Sequence, residues 1–156
     1  MPKSVVAAFL MVMVFAFASA TAMAQSVTTV QALSFGEWMN FNNDAQHEVT
    51  VNTDGSYSAD AAGFVVITPP QQGIYDIEDG FTPGTPVVSV VITQNTPMTR
   101  DGLSYTVDAF QETHSAVVDA NGVVRVTVGA TANTSGNSVF YADGTYSGSI
   151  DITINF

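Results

Sequence analysis

The sequence predicts an all-β fold, an antiparallel β-sandwich that follows a cleaved signal peptide. Three observations carry this. The chain ends on "GTYSGSIDITINF", in which Tyr146, Ile150, Ile152, Ile154 and Phe156 share one parity while Ser147, Ser149, Asp151, Thr153 and Asn155 share the other. A period of two marks a strand with one wet and one dry face. Short apolar runs recur, separated by Asp-Gly and Asn-Gly pairs that suit tight hairpin turns. No segment after the leader combines helical periodicity with caps.

Residues 1–24 read as the signal peptide. Lys3 supplies the positive start, "VVAAFLMVMVFAFA" the apolar stretch, and Ala22-Met23-Ala24 the small-x-small site that places the cut before Gln25. Ala18-Ser19-Ala20 is a second candidate site. The alternative, an anchoring membrane helix, calls for a longer apolar span and a charge to stop transfer. Residues 25–32 then form an N-terminal segment, and 33–156 the domain.

Within the domain, "HEVTV" puts Val49 and Val51 on one face, ahead of an Asp54-Gly55 turn. "GFVVI" and "PVVSVVI" read as short buried-type strands. Between them, "TPPQQGIYDIEDGFTPGTP" holds four prolines, three glycines and three acids. Proline removes ladder donors, so this stretch reads as a long connection, often functional at such lengths. Its Ile74, Tyr75, Ile77 and Phe81 would pack it down on the domain. After Asp101-Gly102, "LSYTVDAF" sets Leu103, Tyr105, Val107 and Ala109 on one face. "HSAVV" and "VVRVTVG" form a hairpin with Asn121-Gly122 at its tip, Val124, Val126 and Val128 on one side and Arg125 and Thr127 on the other. Asp143-Gly144 precedes the last strand.

Composition bounds the function. With 156 residues, 46% of them hydrophobic, the chain has enough material for one domain with a core and is not of disordered type. Its formal charge is −11, from 14 acidic and 3 basic residues. Removing Lys3 with the leader leaves 2 − 14 = −12, with Arg100 and Arg125 as the permanent cations. No basic patch can be built for a phosphate backbone or an anionic lipid surface, so neither is an expected partner. The chain has no cysteine. Core packing and strand pairing must therefore replace disulfides, and thiolate zinc and cysteine nucleophiles are excluded.

Little suggests catalysis. His47 and His114 are the two histidines. "ETHS" sets His114 beside Ser115, but adjacent strand residues face opposite sides and cannot act as a pair. Both histidines read as surface residues. There is no Gly-x-Ser-x-Gly elbow and no lysine-bearing phosphate loop. The expectation is a protein without enzymatic activity or cofactor. Asp76, Glu78 and Asp79 offer hard oxygens for calcium, against a default of a solvated acidic loop. Trp38, in "FGEWMNF", is a candidate sugar-stacking platform, with Tyr75 and Phe81 of the 69–86 stretch completing a possible ligand face. Core packing is the other reading, and the one favoured for Phe35.

"LSFG", "VTVNTDG", "VDANG" followed by "VVRVTVGAT", and the closing "YADGTYSGSIDITINF" together give the chain a resemblance, over residues 33–156, to the bacterial exported family called domain of unknown function 4402. Its ending is similar to those of spore-coat-U-type and archaic chaperone–usher fimbrial subunits. The resemblance implies an Ig-like or pilin-like sandwich exported to the cell surface. It implies a non-catalytic structural subunit of a fimbria-like assembly, or an adhesin domain. Its partners would be other copies or related subunits joined by strand pairing, with a periplasmic chaperone and an outer-membrane usher in transit. It carries over no catalytic residue.

The interaction residues expected on this reading are Tyr146, Ile150, Ile152, Ile154 and Phe156 as the wall of an open groove, and Val27, Val30, Leu33 and Phe35 as an inserted strand. Val27 and Val30 fall on opposite parities, so the donor is short and poorly patterned. The other possibility is that the N-terminal segment fills the domain's own edge. Two further readings are an outer-membrane β-barrel, which ends in the same kind of strand, and a glycan-binding module. A barrel needs alternating strands of about nine to eleven residues throughout, and here the final strand and "LSYTVDAF" come closest.

Overall fold

A computed structural model describes residues 26–141 and 144–156. The expected leader at 1–24, the cut before Gln25 and Asp143 of the last turn lie outside the described residues. Every regular element among the described residues is a strand: β1 (Ser26–Gln31), β2 (Glu37–Asn40), β3 (Glu48–Val51), β4 (Tyr57–Ala59), β5 (Phe64–Thr68), β6 (Gly73–Glu78), β7 (Ser89–Arg100), β8 (Leu103–His114), β9 (Val123–Asn133) and β10 (Ser147–Asn155). All pairings are antiparallel, so the all-β expectation holds.

The main hydrogen-bonded path runs β1-β6-β9-β8-β7-β10, with β3 and β4 attached to β9, and β2-β5 as a separate ribbon. β9 is the centre. Its Val124, Val126 and Val128 are fully buried, while Arg125 is exposed, as the alternation predicts. β6 flanks its first half and β3 its second half, while β8 runs along the other edge. At the changeover stands Gly129, where a Cβ would collide with the carbonyl of Val51. From there Ala130 and Ala132 are buried, and small side chains let β3 approach.

The turns obey local chemistry. Asp101 (φ 51°) and Gly102 (φ 80°) both take positive φ between β7 and β8, the conformation that matches hairpin twist. In the β8–β9 connection, Asp119 Oδ1 accepts from the backbone N–H groups of Asn121 and Val123. Those bonds hold its carboxyl below the usual carboxylate range.

Two apolar clusters make up the core. Phe35, Val49, Val51, Phe64, Tyr105, Val107, Ala130 and Ala132 form one. Ile77, Val87, Val90, Val118 and the three β9 valines form the other, and Ile150, Ile152 and Ile154 of β10 pack against it.

Four expectations need correction. The proline-rich stretch contains β6, an interior strand bonded on both edges. Its prolines, at 69, 70, 83 and 86, flank the ladder rather than interrupt it, so the donors of Gly73–Glu78 are intact. Neither "GFVVI" nor "PVVSVVI" is a buried run: in the second, Val87 and Val90 are buried while Val88 and Val91 are exposed. β5 pairs with β2 alone, and Phe64 is buried while Val65 and Ile67 are exposed. The β8 alternation breaks at Ala109, which takes φ 47°. There the register against β9 shifts between Asp108 and Gln111, and Phe110 turns to the core in place of Ala109. Such a bulge re-aims side chains and sharpens twist. Finally, His47 is buried, 6% exposed, not a surface residue.

Candidate groove beside the last strand

β10 pairs with β7 from Ser147 to Asn155 and has no second partner among the described strands. Ile150, Ile152 and Ile154 are half-buried, and Asp151, Thr153 and Asn155 are exposed. The period of two read from the sequence is therefore real in the fold. Beside the free edge lies an open groove of about 990 Å³. One wall is Gly144–Ile150 with Gln94, Thr96 and Met98 of β7. The other is residues 32–40, which run from the end of β1 through β2. Tyr105 and Val107 of β8 are part of the lining.

An aromatic cluster packs along this groove. Tyr105 stacks on Tyr141 with ring centroids 4.1 Å apart, and Tyr146 meets both rings edge-on. The Trp38 indole N–H donates to the Tyr105 hydroxyl at 3.5 Å. Burial pushes the Tyr105 phenol up to about 12, so it stays neutral and available as donor and acceptor. Trp38 itself meets Phe35, Phe64 and Tyr105, each at a steep interplanar angle. At β10's approach, Gly148 is required: a Cβ there would collide with the Thr96 carbonyl, beside Pro97, where the β7–β10 register shifts. Proline is tolerated at such an irregularity.

The expected interaction residues divide. Tyr146, Ile150 and Leu33 line the groove with Phe35, which is buried. Ile152 and Ile154 continue β10's inward row beyond it. The Phe156 ring, half exposed, lies 4.7 Å from that of Phe81. Val27 and Val30 are elsewhere. They belong to β1, which lies along β6 at the opposite end of the path, with both side chains about half exposed. The N-terminal segment does not complete the β10 edge. Its opposed parities give no row to bury, and it is held by backbone pairing to Ile74–Glu78.

The acidic trio is not assembled as a site. Both Asp76 carboxylate oxygens accept from the Arg125 guanidinium at 2.7 Å. That bond lowers the aspartate's pKa and raises the arginine's. Among the described residues no three acidic, histidine or cysteine side chains are grouped to hold a metal ion. Trp38 lines the groove, as does Tyr75, whose hydroxyl accepts from the Leu33 N–H; Phe81 sits apart with Phe156.

Two polar centres escaped the sequence reading. His47 Nδ1 faces Asp60 Oδ2, while the His47 N–H donates to the Thr134 hydroxyl and the Thr134 N–H donates to the His47 carbonyl. Buried Asn43 donates to Ser135, Asn137 and Val139, and accepts from the Gly136 N–H. This pins the connection that leads toward β10. Nothing in either residue's local pattern marks burial, since both partner sets lie far off in sequence.

A family model described as "Domain of unknown function (DUF4402)" matches residues 26–156. The chain belongs to this family. No curated protein and no solved structure matches it. The match takes in every strand described above, so the groove and the free β10 edge both fall within the DUF4402 domain.

Proposed function

We propose that this is an exported, non-catalytic structural subunit of a fimbria-like surface assembly, joined to its neighbours by β-strand addition beside β10. Residues 1–24 act as its cleaved signal peptide. The observation that carries the reading is the free edge of β10, whose first residues, Ser147–Ile150, border a groove of about 990 Å³ and whose inward row continues beyond it through Ile152 and Ile154. A strand edge with an apolar floor is a template for another strand: backbone bonds supply affinity and alternate side chains supply specificity.

The strand order supports the same reading. Taken as A to F, strands β1, β6, β7, β8, β9 and β10 follow one path A-B-E-D-C-F, in which D and C are bonded only from Met98 to Arg100 beside their hairpin; on our reading that short link joins an A-B-E-D layer to a C-F layer, as in an Ig-like sandwich whose G strand is lacking. On that reading the groove is the place where a G strand would pair with F. The barrel alternative has against it that β1 and β10, the two ends of the path, are not partners. The glycan-binding alternative has against it that three rings crowd Trp38.

The test is made on native cells. Shear them, separate released material from outer membranes, and run both on SDS gels with and without boiling. Strand-joined fibres give a ladder in the sheared fraction that collapses on boiling. A lone membrane-bound band whose mobility shifts on boiling overturns the proposal in favour of a barrel.

A further inference from the structure

Resting on that reading, we infer that the groove selects an extended segment of a different protein, apolar at alternate positions and carrying one lysine or arginine that meets Glu37. Among the described residues lining the groove, Glu37 alone is charged. Its carboxylate accepts from the Thr68 hydroxyl at 3.2 Å and takes part in no ion pair among the described residues. Arg125 is engaged by Asp76, and Arg100 pairs with Asp101 while its guanidinium packs against Gly144 at the end of the groove wall. A strand entering between β10 and β2 therefore finds apolar and hydroxyl-bearing walls and one exposed carboxylate.

A second copy of this chain is a poor source of that strand. Its Ser26–Gln31 segment has no cation and is already paired to β6. The chain also carries a formal −11, so copies repel at low ionic strength while a basic partner is attracted.

The experiment uses Trp38, the single tryptophan of the chain and part of the groove lining, as an intrinsic fluorescent reporter. The purified protein is titrated with peptides of β10's length, nine residues, alternating valine and threonine. One set is uncharged, a second scans one lysine through the threonine positions, a third does the same with glutamate, and a fourth is residues 26–34 of this chain. One lysine register binds about three-fold tighter than the uncharged peptide, the scale of an exposed ion pair. The gain disappears in Glu37→Gln and in 1 M salt, and glutamate at that register weakens binding. If the uncharged peptide binds but no lysine register improves it, or the gain survives Glu37→Gln, the inference fails while strand addition stands. If residues 26–34 bind best, the occupant is a second copy and the inference is wrong. If no peptide perturbs Trp38 and calorimetry detects no binding, the groove reading itself falls and takes the inference with it.

Discussion

The imidazole of His47 sets Nδ1 2.6 Å from Oδ2 of Asp60, tying the entry of β3 to the turn that launches β5. Asp60 organises that turn: its other oxygen accepts from the Ala62 N–H, and its backbone carbonyl accepts from Gly63 and Phe64. The His47 ring also meets Phe64 edge-on at 6.4 Å. His47→Ala removes the donor and leaves a hole beside Phe64. It is expected to destabilise the fold by about 1–3 kcal/mol, the scale of a lost buried hydrogen-bond partner. Gly63→Ala approaches the same site from the other side, since its Cβ would run into the imidazole ring; overpacking of that kind costs about 1–3 kcal/mol. Urea midpoints of the two variants against the parent measure both, and an unchanged midpoint for either removes His47 from the stability argument.

Acid should destabilise the protein in a defined window. Asp54, Asp60, Asp76 and Asp119 all have lowered pKa values. The leading causes are the Ser56 side chain, the His47 side chain, the Arg125 side chain and the Val123 backbone N–H, in that order of residue. A group whose folded pKa is depressed contributes stability above its unfolded value, here 3.8, and loses it as pH falls through the folded value. These four contributions are intact at neutral pH and are lost below about pH 4. Asp76→Asn and Asp60→Asn should each flatten that loss in chemical denaturation followed from pH 6 to pH 2. A slope identical to the parent's in both variants would refute the assignment.

Ile77 faces the β9 row, fully buried and opposite Val124 across the β6–β9 ladder. Ile77→Ala should cost about 2–5 kcal/mol, the range for truncating a large buried aliphatic side chain. Thr153→Ala, on the exposed side of β10, should stay within about 0.5 kcal/mol. Thermal melts of the two variants make the comparison. Equal and small losses would mean that β6 is not an interior strand.

How much of this was legible in the sequence depended on whether the signal was local. The β9 valines, the β10 alternation and the Asp101-Gly102 turn were readable because period and turn chemistry sit within a few residues. β6 was hidden because prolines at its flanks dominated the composition of the stretch, although Tyr75 and Ile77 already alternate with Asp76 and Glu78 inside it. The Ala109 bulge depends on register against β9, which no window on β8 contains. The same holds for the site. The alternation put Tyr146 and Ile150 on one face of the last strand, but the facing stretch from Leu33 to Asn40 and the placement of Tyr105 and Tyr141 arise only when distant strands meet.

The free β10 edge should also govern solution behaviour when the groove has no occupant. Two terms oppose each other. An unpaired strand edge with an apolar row favours strand-to-strand association, while a net charge of −11 drives copies apart. Salt screens the second term, with a Debye length of about 3 Å at 1 M, and leaves the first largely intact. The protein should sediment as a monomer at low ionic strength and form larger species as salt rises. Thr153→Lys places a charge on the exposed face of the edge strand, a device that discourages edge pairing. It also makes the chain less negative, which by charge alone would favour association. A fall in association at high salt in Thr153→Lys, with an unchanged circular dichroism spectrum, therefore assigns the contact to the β10 edge. A rise would show that charge alone sets the behaviour and that β10 is not the sticky edge.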